Sequence, residues 1–267
     1  MREEPACGHL DAARIDEDLA AACGCALPDA HRDAAALARL AVGLRRQNQA
    51  RFCSLPFCCT VEAEALGGAI TLGDATAGPR ALHPVCASLR EILSLPRINF
   101  AEGRIAEVLH ACALLDAQGE KVALEICGPI TILAGLIDLT VLFRDWRRDE
   151  CLMREVLGRL TDELCAYALA AAQAGVAALS YADPVGVMSI LGAPRFECLA
   201  DAHILPLLRQ LEGGLDIPVH VCPKTAHALV ATGRGFWRES AAPRRTGDIC
   251  FKSRRAAAGA TKELALA

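Results

Sequence analysis

The sequence predicts an α/β fold, a barrel of parallel strands wrapped by helices in a single domain. Short aliphatic runs alternate with helical stretches of about ten residues or more, the pattern of βαβ units around a parallel sheet. The chain has 267 residues, long for one domain but within the range of an α/β barrel, and one core of that size buries about three quarters of the unfolded chain's surface. Hydrophobic residues make up 53% and aromatic residues 4%, so the core must be built from Ala, Leu, Val and Ile, the material of helices packed on aliphatic strands.

Taken in order, residues 10–50 read as helices rich in Ala, Leu and Arg, interrupted at Pro28 and Asp29. Residues 51–57 form a short apolar run stopped by Pro56, followed by a helix-like TVEAEALGG; residues 69–72 read as a second short strand ended by Gly73 and Asp74. The spacing of Ile105, Val108, Leu109, Ala113 and Leu114 predicts a helix over 101–117. A buried strand at 122–126 closes on Gly128 and Pro129, a helix resumes over 130–143, and a long helix covers 149–174. A strand at 176–181 runs into Asp183 and Pro184, a helix follows near 196–212, then a strand at 218–221 and a helix at 224–231. The last strand is read at 248–251, carrying Cys250, and the stretch before it, 233–246, is polar and unpatterned. No repeat or low-complexity linker divides the chain. One barrel domain therefore spans 1–267, with an N-terminal helical segment at 1–50, the barrel at 51–252 and a tail at 253–267.

A net charge of −4 and a pI near 6.0 give no reason to expect nucleic acid as a partner, and Arg244, Arg245 and the basic run 252–255 read as a solvated tail. The N-terminus shows no basic stretch followed by an apolar one, so the expected location is cytoplasmic. Mean hydropathy is positive, +0.29, yet residues 122–143 carry Glu125 and Asp138, and 166–182 is short and interrupted by Gln173 and Gly175. A membrane span needs about 20 continuous apolar residues, so no membrane association is expected. The 14 cysteines are irregularly spaced, and Cys112, Cys127, Cys151, Cys165 and Cys198 sit among apolar neighbours, where a thiol acts as a small hydrophobe.

Polar residues collect where strands stop: Glu62, Glu64, Asp74, Glu125, Asp183, His220, Cys222 and Cys250. In a barrel those ends form the mouth that houses the active site. His220 and Cys222, two apart on a strand, face the same side and can aim at one ion, and Cys250 from a separate segment can complete a His/Cys/Cys set. One nitrogen and two thiolates suit zinc, and three ligands leave the open position of a catalytic site. A thiol entering that position loses its proton and stays nucleophilic. Spacing alone equally accommodates a core His and a core Cys.

Several segments resemble the uroporphyrinogen decarboxylase superfamily: LPFCCTVEAEALGG at 55–68, LGDATAGPR at 72–80, LPRINFAEGRIAEVL at 95–109, ALEICGPITIL at 123–133, SYADPVGVMSILG at 180–192 and HVCPKTAHAL at 220–229. The H-x-C with its later Cys is most similar to the superfamily's methyltransferase branch, which includes the methylcobalamin:coenzyme M methyltransferases. The resemblance covers about 25–252. It implies a (β/α)8 TIM-type barrel and a zinc ion on His220, Cys222 and Cys250, with DICFKS resembling the final ligand segment. It further implies a methylcorrinoid donor, free or on a corrinoid protein, and a small thiol acceptor such as coenzyme M. The stretch between Cys222 and Cys250 is shorter than the family's, so the barrel is expected to be incomplete or irregular near the C-terminus.

Around these ligands, Asp183 is a candidate to orient His220 or touch substrate, with a helix N-cap as its alternative role. Glu125, costly to bury unpaired, is a second catalytic candidate. Glu62 and Glu64 do not share a helix face, so one is expected at the mouth as a substrate contact and the other toward solvent or a helix dipole. Lys224 and Thr225 open a helix, where an anionic substrate group can bind. His31, His227 and the Cys58–Cys59 pair read as surface or packing residues. Two other functions stay open: a porphyrinogen decarboxylase, which needs Arg residues for substrate carboxylates and no metal, and a catalytically degraded zinc- or corrinoid-binding regulatory barrel.

Overall fold

The computed structural model describes residues 15–74, 76–250 and 262–267. From the N-terminus the elements are α1 (Glu17–Ala22), α2 (Ala34–Asn48), β1 (Cys53–Leu55), α3 (Val61–Ala65), β2 (Ala69–Thr71), β3 (Arg80–His83), α4 (Leu89–Ile92), α5 (Gly103–Ala117), β4 (Val122–Cys127), α6 (Pro129–Ala134), α7 (Leu139–Arg148) and α8 (Glu150–Gln173). They continue with β5 (Ala178–Ala182), α9 (Met188–Leu191), α10 (Ala193–Leu199), α11 (Leu205–Gly214), β6 (Val219–Val221), α12 (Pro223–Ala231), β7 (Gly235–Glu239), β8 (Arg245–Thr246) and β9 (Lys262–Leu266).

Five strands pair in the order β1-β4-β5-β6-β8, every pair parallel. Side chains alternate between the two faces of a strand, and here the faces differ sharply. One row, Leu55, Leu124, Leu179 and Val219, is aligned in register and fully buried. On the same face Tyr181 packs its ring on buried His203 of the helical layer. The other face carries Ser54, Ala123 and Ala178, and a row of Glu125, Ser180, His220 and Thr246 in register across four strands. Small and polar side chains line a lumen, whereas bulky aliphatic ones bind the helices. Parallel strands with helices on one side and a lined lumen on the other are the architecture expected of a (β/α) barrel.

Several elements depart from the reading of the sequence. The strand expected at 69–72 forms as β2, but it pairs antiparallel with β3 outside the main sheet. The helix expected over 130–143 is two, because Asp138 accepts from the Thr140 and Val141 amides and starts α7 afresh. The stretch 233–246 holds β7 and β8 despite its lack of pattern, and the expected tail supplies β9, antiparallel to β7. That ribbon buries Leu264, pairs Arg238 with Glu263 at 2.7 Å and sets Trp237 in a tilted ring contact with His227 of α12. A strand at 248–251 does not form: β8 is Arg245–Thr246, Cys250 follows it in an irregular bend, and Phe251 lies outside the described residues. The basic cluster is not a solvated tail throughout. Arg245 is buried against Glu212, Arg244 donates to the Leu215 carbonyl, and 252–255 lie outside the described residues. Cys53, Cys86, Cys112 and Cys127 are buried, but Cys151, read as core, is exposed at the start of α8 because its side of that helix meets solvent. Among the described residues no helix is long and apolar enough to cross a membrane.

Candidate active site

The C-terminal ends of β6 and β8 bring the H-x-C pair beside the segment carrying Cys250. His220 is central in β6 and buried. Its Nδ1 is 3.0 Å from Ser180 Oγ on β5, and its Nε2 is 3.1 Å from the carbonyl oxygen of Ile249, next in sequence to Cys250. Cys222 ends the strand: its amide donates to the Tyr181 carbonyl at 2.8 Å, and it occupies the N-cap of α12. Gly247 lets the two segments meet, since a Cβ there would lie 2.6 Å from Ala226 Cβ and 2.8 Å from the Val221 carbonyl oxygen. Lys224 and Thr225 follow in the first turn of α12, where Thr225 is buried with no hydrogen-bond partner for Oγ1 among the described residues. A cavity of about 460 Å³ reaches His220 along the lumen face, past Ala123, Ala178 and Thr246, from the end where Arg51 and Pro218 precede their strands.

The ends of β4 and β5 are built around carboxylates. Asp183 accepts from the Ile130 amide at 3.1 Å, the Thr131 amide at 2.9 Å, Thr131 Oγ1 at 2.6 Å and the Gly186 amide at 3.0 Å. It thus caps the start of α6, a helix from the neighbouring strand and not its own. Gly128 and Gly186 are required there, because a Cβ at either would come within 2.3 Å of the Asp183 side chain. Burial pushes the Asp183 pKa up, and its hydrogen-bond donors pull against that. Glu62 is 1% exposed and accepts from the Cys127 amide at 2.8 Å; its Oε2 has no partner among the described residues. Burial raises its pKa to about 7, opposed by backbone donors and Arg104 and reinforced by the charge of Glu125. Glu64 goes neither to solvent nor to a helix dipole but to buried Arg104, at 3.0 Å, with Arg32 at 3.7 Å. Arg104 also donates to Thr60 Oγ1 at 2.9 Å and Cys58 Sγ at 3.2 Å.

The structure thus groups His220 with the Cys250 segment, and Glu62 with the end of β4 through the Cys127 amide. Ser180 is the residue that reading the sequence missed. Its signal was a small polar side chain inside an apolar strand, on the same face as Ala178 and Ala182. His31 is a buried packing residue, its pKa pushed down to about 4 by burial and by Arg104. As the side chains stand, no three His, Cys, Asp or Glu groups among the described residues are placed to hold a metal ion. The donor types, an imidazole in β6, a thiol just past its end and a thiol in the bend after β8, are those of an open zinc site.

The family model described as Uroporphyrinogen decarboxylase (URO-D) matches residues 13–234. His220 and Cys222 lie inside that stretch and Cys250 beyond it. The chain is 26% identical over 214 residues to the methylcobamide:CoM methyltransferase MtbA of Methanosarcina acetivorans, covering 78% of this chain and 62% of that protein. It is 26% identical over 207 residues to MtaA, a protein of the same description from Methanosarcina barkeri, covering 75% and 60%. The chain therefore spans about three fifths of the length of the curated relatives it matches. A solved structure described as a methyltransferase from Methanosarcina mazei superposes with a TM-score of 0.67 at 19% identity, over 88% of this chain and 69% of that one, and shares its fold.

Proposed function

The chain belongs to the uroporphyrinogen decarboxylase family, and on that premise we propose that it is a methyltransferase moving a methyl group from a methylcorrinoid to a zinc-activated small thiol. The observation that carries this reading is the placing of His220 and Cys222 at the end of β6, with His220 Nε2 against the residue adjoining Cys250. The matched relatives are named for methylcobamide and coenzyme M, so an anionic thiol of that kind is the proposed acceptor, and a corrinoid, free or carried by a partner protein, the donor. Decarboxylation fits the family name but gives H-x-C no task.

His220, Cys222 and Cys250 are the residues proposed to hold zinc. What zinc supplies in such a setting is a thiolate that forms at neutral pH and remains nucleophilic. The chain's own residues do the rest. Thr225 and Lys224, at the start of a nine-residue helix, receive the anionic end of the thiol, where unsatisfied amides favour negative charge. Glu62, brought near neutral pH chiefly by its burial, holds or releases a proton at the end of β4. Asp183 fixes the loops after β4 and β5, so that the donor methyl meets a rigid mouth.

The test is metal content and turnover together. Protein purified with zinc supplied is expected to hold about one zinc per chain and to demethylate methylcobalamin when 2-mercaptoethanesulfonate is added, followed by the change in cobalt absorbance. Cys222→Ser is expected to lose the metal and at least a hundredfold in rate. A wild-type chain that takes up no zinc would sink the proposal.

A further inference from the structure

The hydroxyl of Ser180 caps no helix and closes no turn. It sits in the middle of β5, away from any turn or cap, flanked on its own face by Ala178 and Ala182. Yet it is only 1% exposed, and burying a hydroxyl is costly unless its hydrogen bonds are made. The contact it makes is to His220 Nδ1 at 3.0 Å, across the β5–β6 pair in which the two residues stand opposite one another.

The other ring nitrogen decides the direction of that bond. Nε2 is 3.1 Å from the Ile249 carbonyl oxygen, which can only accept, so Nε2 carries the proton. In a neutral imidazole Nδ1 is then the acceptor, and Ser180 donates. An imidazole that binds a metal through Nε2 must instead carry its proton on Nδ1, and its partner must accept. A carbonyl, a carboxylate or an amide N–H serves one of these states alone. A hydroxyl serves both by rotating about its Cβ–Oγ bond.

We propose that Ser180 is a positioning residue for His220, its reversible hydroxyl letting the ring exchange the Ile249 carbonyl for a metal ion. The inference rests on the zinc reading above. One proton leaves Nε2 and one arrives on Nδ1 through solvent, so the ring is neutral before and after and no other reactant is needed. Glu125, next to Ser180 in the same register row, is a carboxylate toward which the rotated hydroxyl can turn.

Two measurements on the full chain test it: zinc affinity by competition with a chromophoric chelator, and the ¹⁵N shifts of the His220 ring. In the wild type, metal-free His220 is expected as the Nε2–H tautomer, switching to Nδ1–H when zinc is added. Ser180→Ala is expected to bind zinc about 10- to 100-fold more weakly, the usual cost of losing a ligand's hydrogen-bond partner, with its thermal midpoint lowered by no more than a few degrees. Ser180→Thr, which keeps the hydroxyl, should restore the affinity. Zinc binding by Ser180→Ala at the wild-type level, a Ser180→Thr variant as weak as the alanine, or a ring that keeps one tautomer throughout would overturn the inference. Wild-type protein that binds no zinc would overturn the functional reading and this inference with it, whereas zinc uptake indifferent to Ser180 overturns this inference alone.

Discussion

The ends of β4 and β5 and the ends of β6 and β8 lie side by side in one sheet, and they are built on opposite plans. At the first, Asp183 takes three backbone amides and one hydroxyl, and two glycines close against it. At the second, His220 rests between a hydroxyl and a carbonyl, the carbonyl belonging to the residue before Cys250, while Cys222 begins α12. A buried charge satisfied by backbone donors is fixed, because every partner is part of the fold. A ring held by groups that can rotate or be exchanged remains open to a ligand. The difference separates a residue that shapes the site from those proposed to perform its chemistry.

The largest expected effect breaks the fixed end. Asp183→Ala leaves the Ile130, Thr131 and Gly186 amides buried without their acceptor, and is expected to cost about 3–5 kcal/mol in urea unfolding. A loss under about 1 kcal/mol would mean that the two ends are not built differently. Next comes Glu62, beside the same strand end but with one oxygen unsatisfied. Its folded pKa of about 7 lies above the ordinary 4.5, so the stability linked to it is fully present below pH 4.5 and is lost as pH rises through 7. Glu62→Gln removes that titration. Relative to wild type, the variant should gain on the order of 3 kcal/mol between pH 4.5 and pH 8, measured by denaturant unfolding at both values. An unchanged difference would refute the raised pKa. The smallest effect on stability belongs to the exchangeable end. Cys250→Ala, in a half-buried bend, should shift unfolding by less than about 1 kcal/mol while removing zinc uptake. A stability loss like that of Asp183→Ala would assign Cys250 to the scaffold.

Legibility in the sequence followed the range of the interactions involved. The aliphatic runs of β4 and β5 and the periodic helices α5 and α8 were readable because their burial pattern is local. The β7–β9 ribbon was not, because its strands are joined through residues far apart in the chain and Phe236 is left exposed, which hides the alternation. The DIC segment has a strand's composition, but the chain bends after β8, and Gly247 turns it across Val221. In the site, H-x-C was visible from its spacing. A capping role was open to Asp183, but not which helix it caps, because that helix follows a different strand. Glu62 and Glu64 part to different partners, and the guanidinium that takes Glu64 comes from α5, beyond the reach of a local pattern.

By itself the sequence determined the class of fold, the alternation of strands and helices, and the donor types gathered near the strand ends, since hydrophobic period and side-chain chemistry are properties of short segments. Tertiary structure alone decided which carboxylate is saturated and which is left poised near neutral pH, because desolvation and amide donors come from elements distant in the chain. It also set Ser180 against His220: register between strands is an outcome of packing, and a one-residue slip would send either side chain to the opposite face.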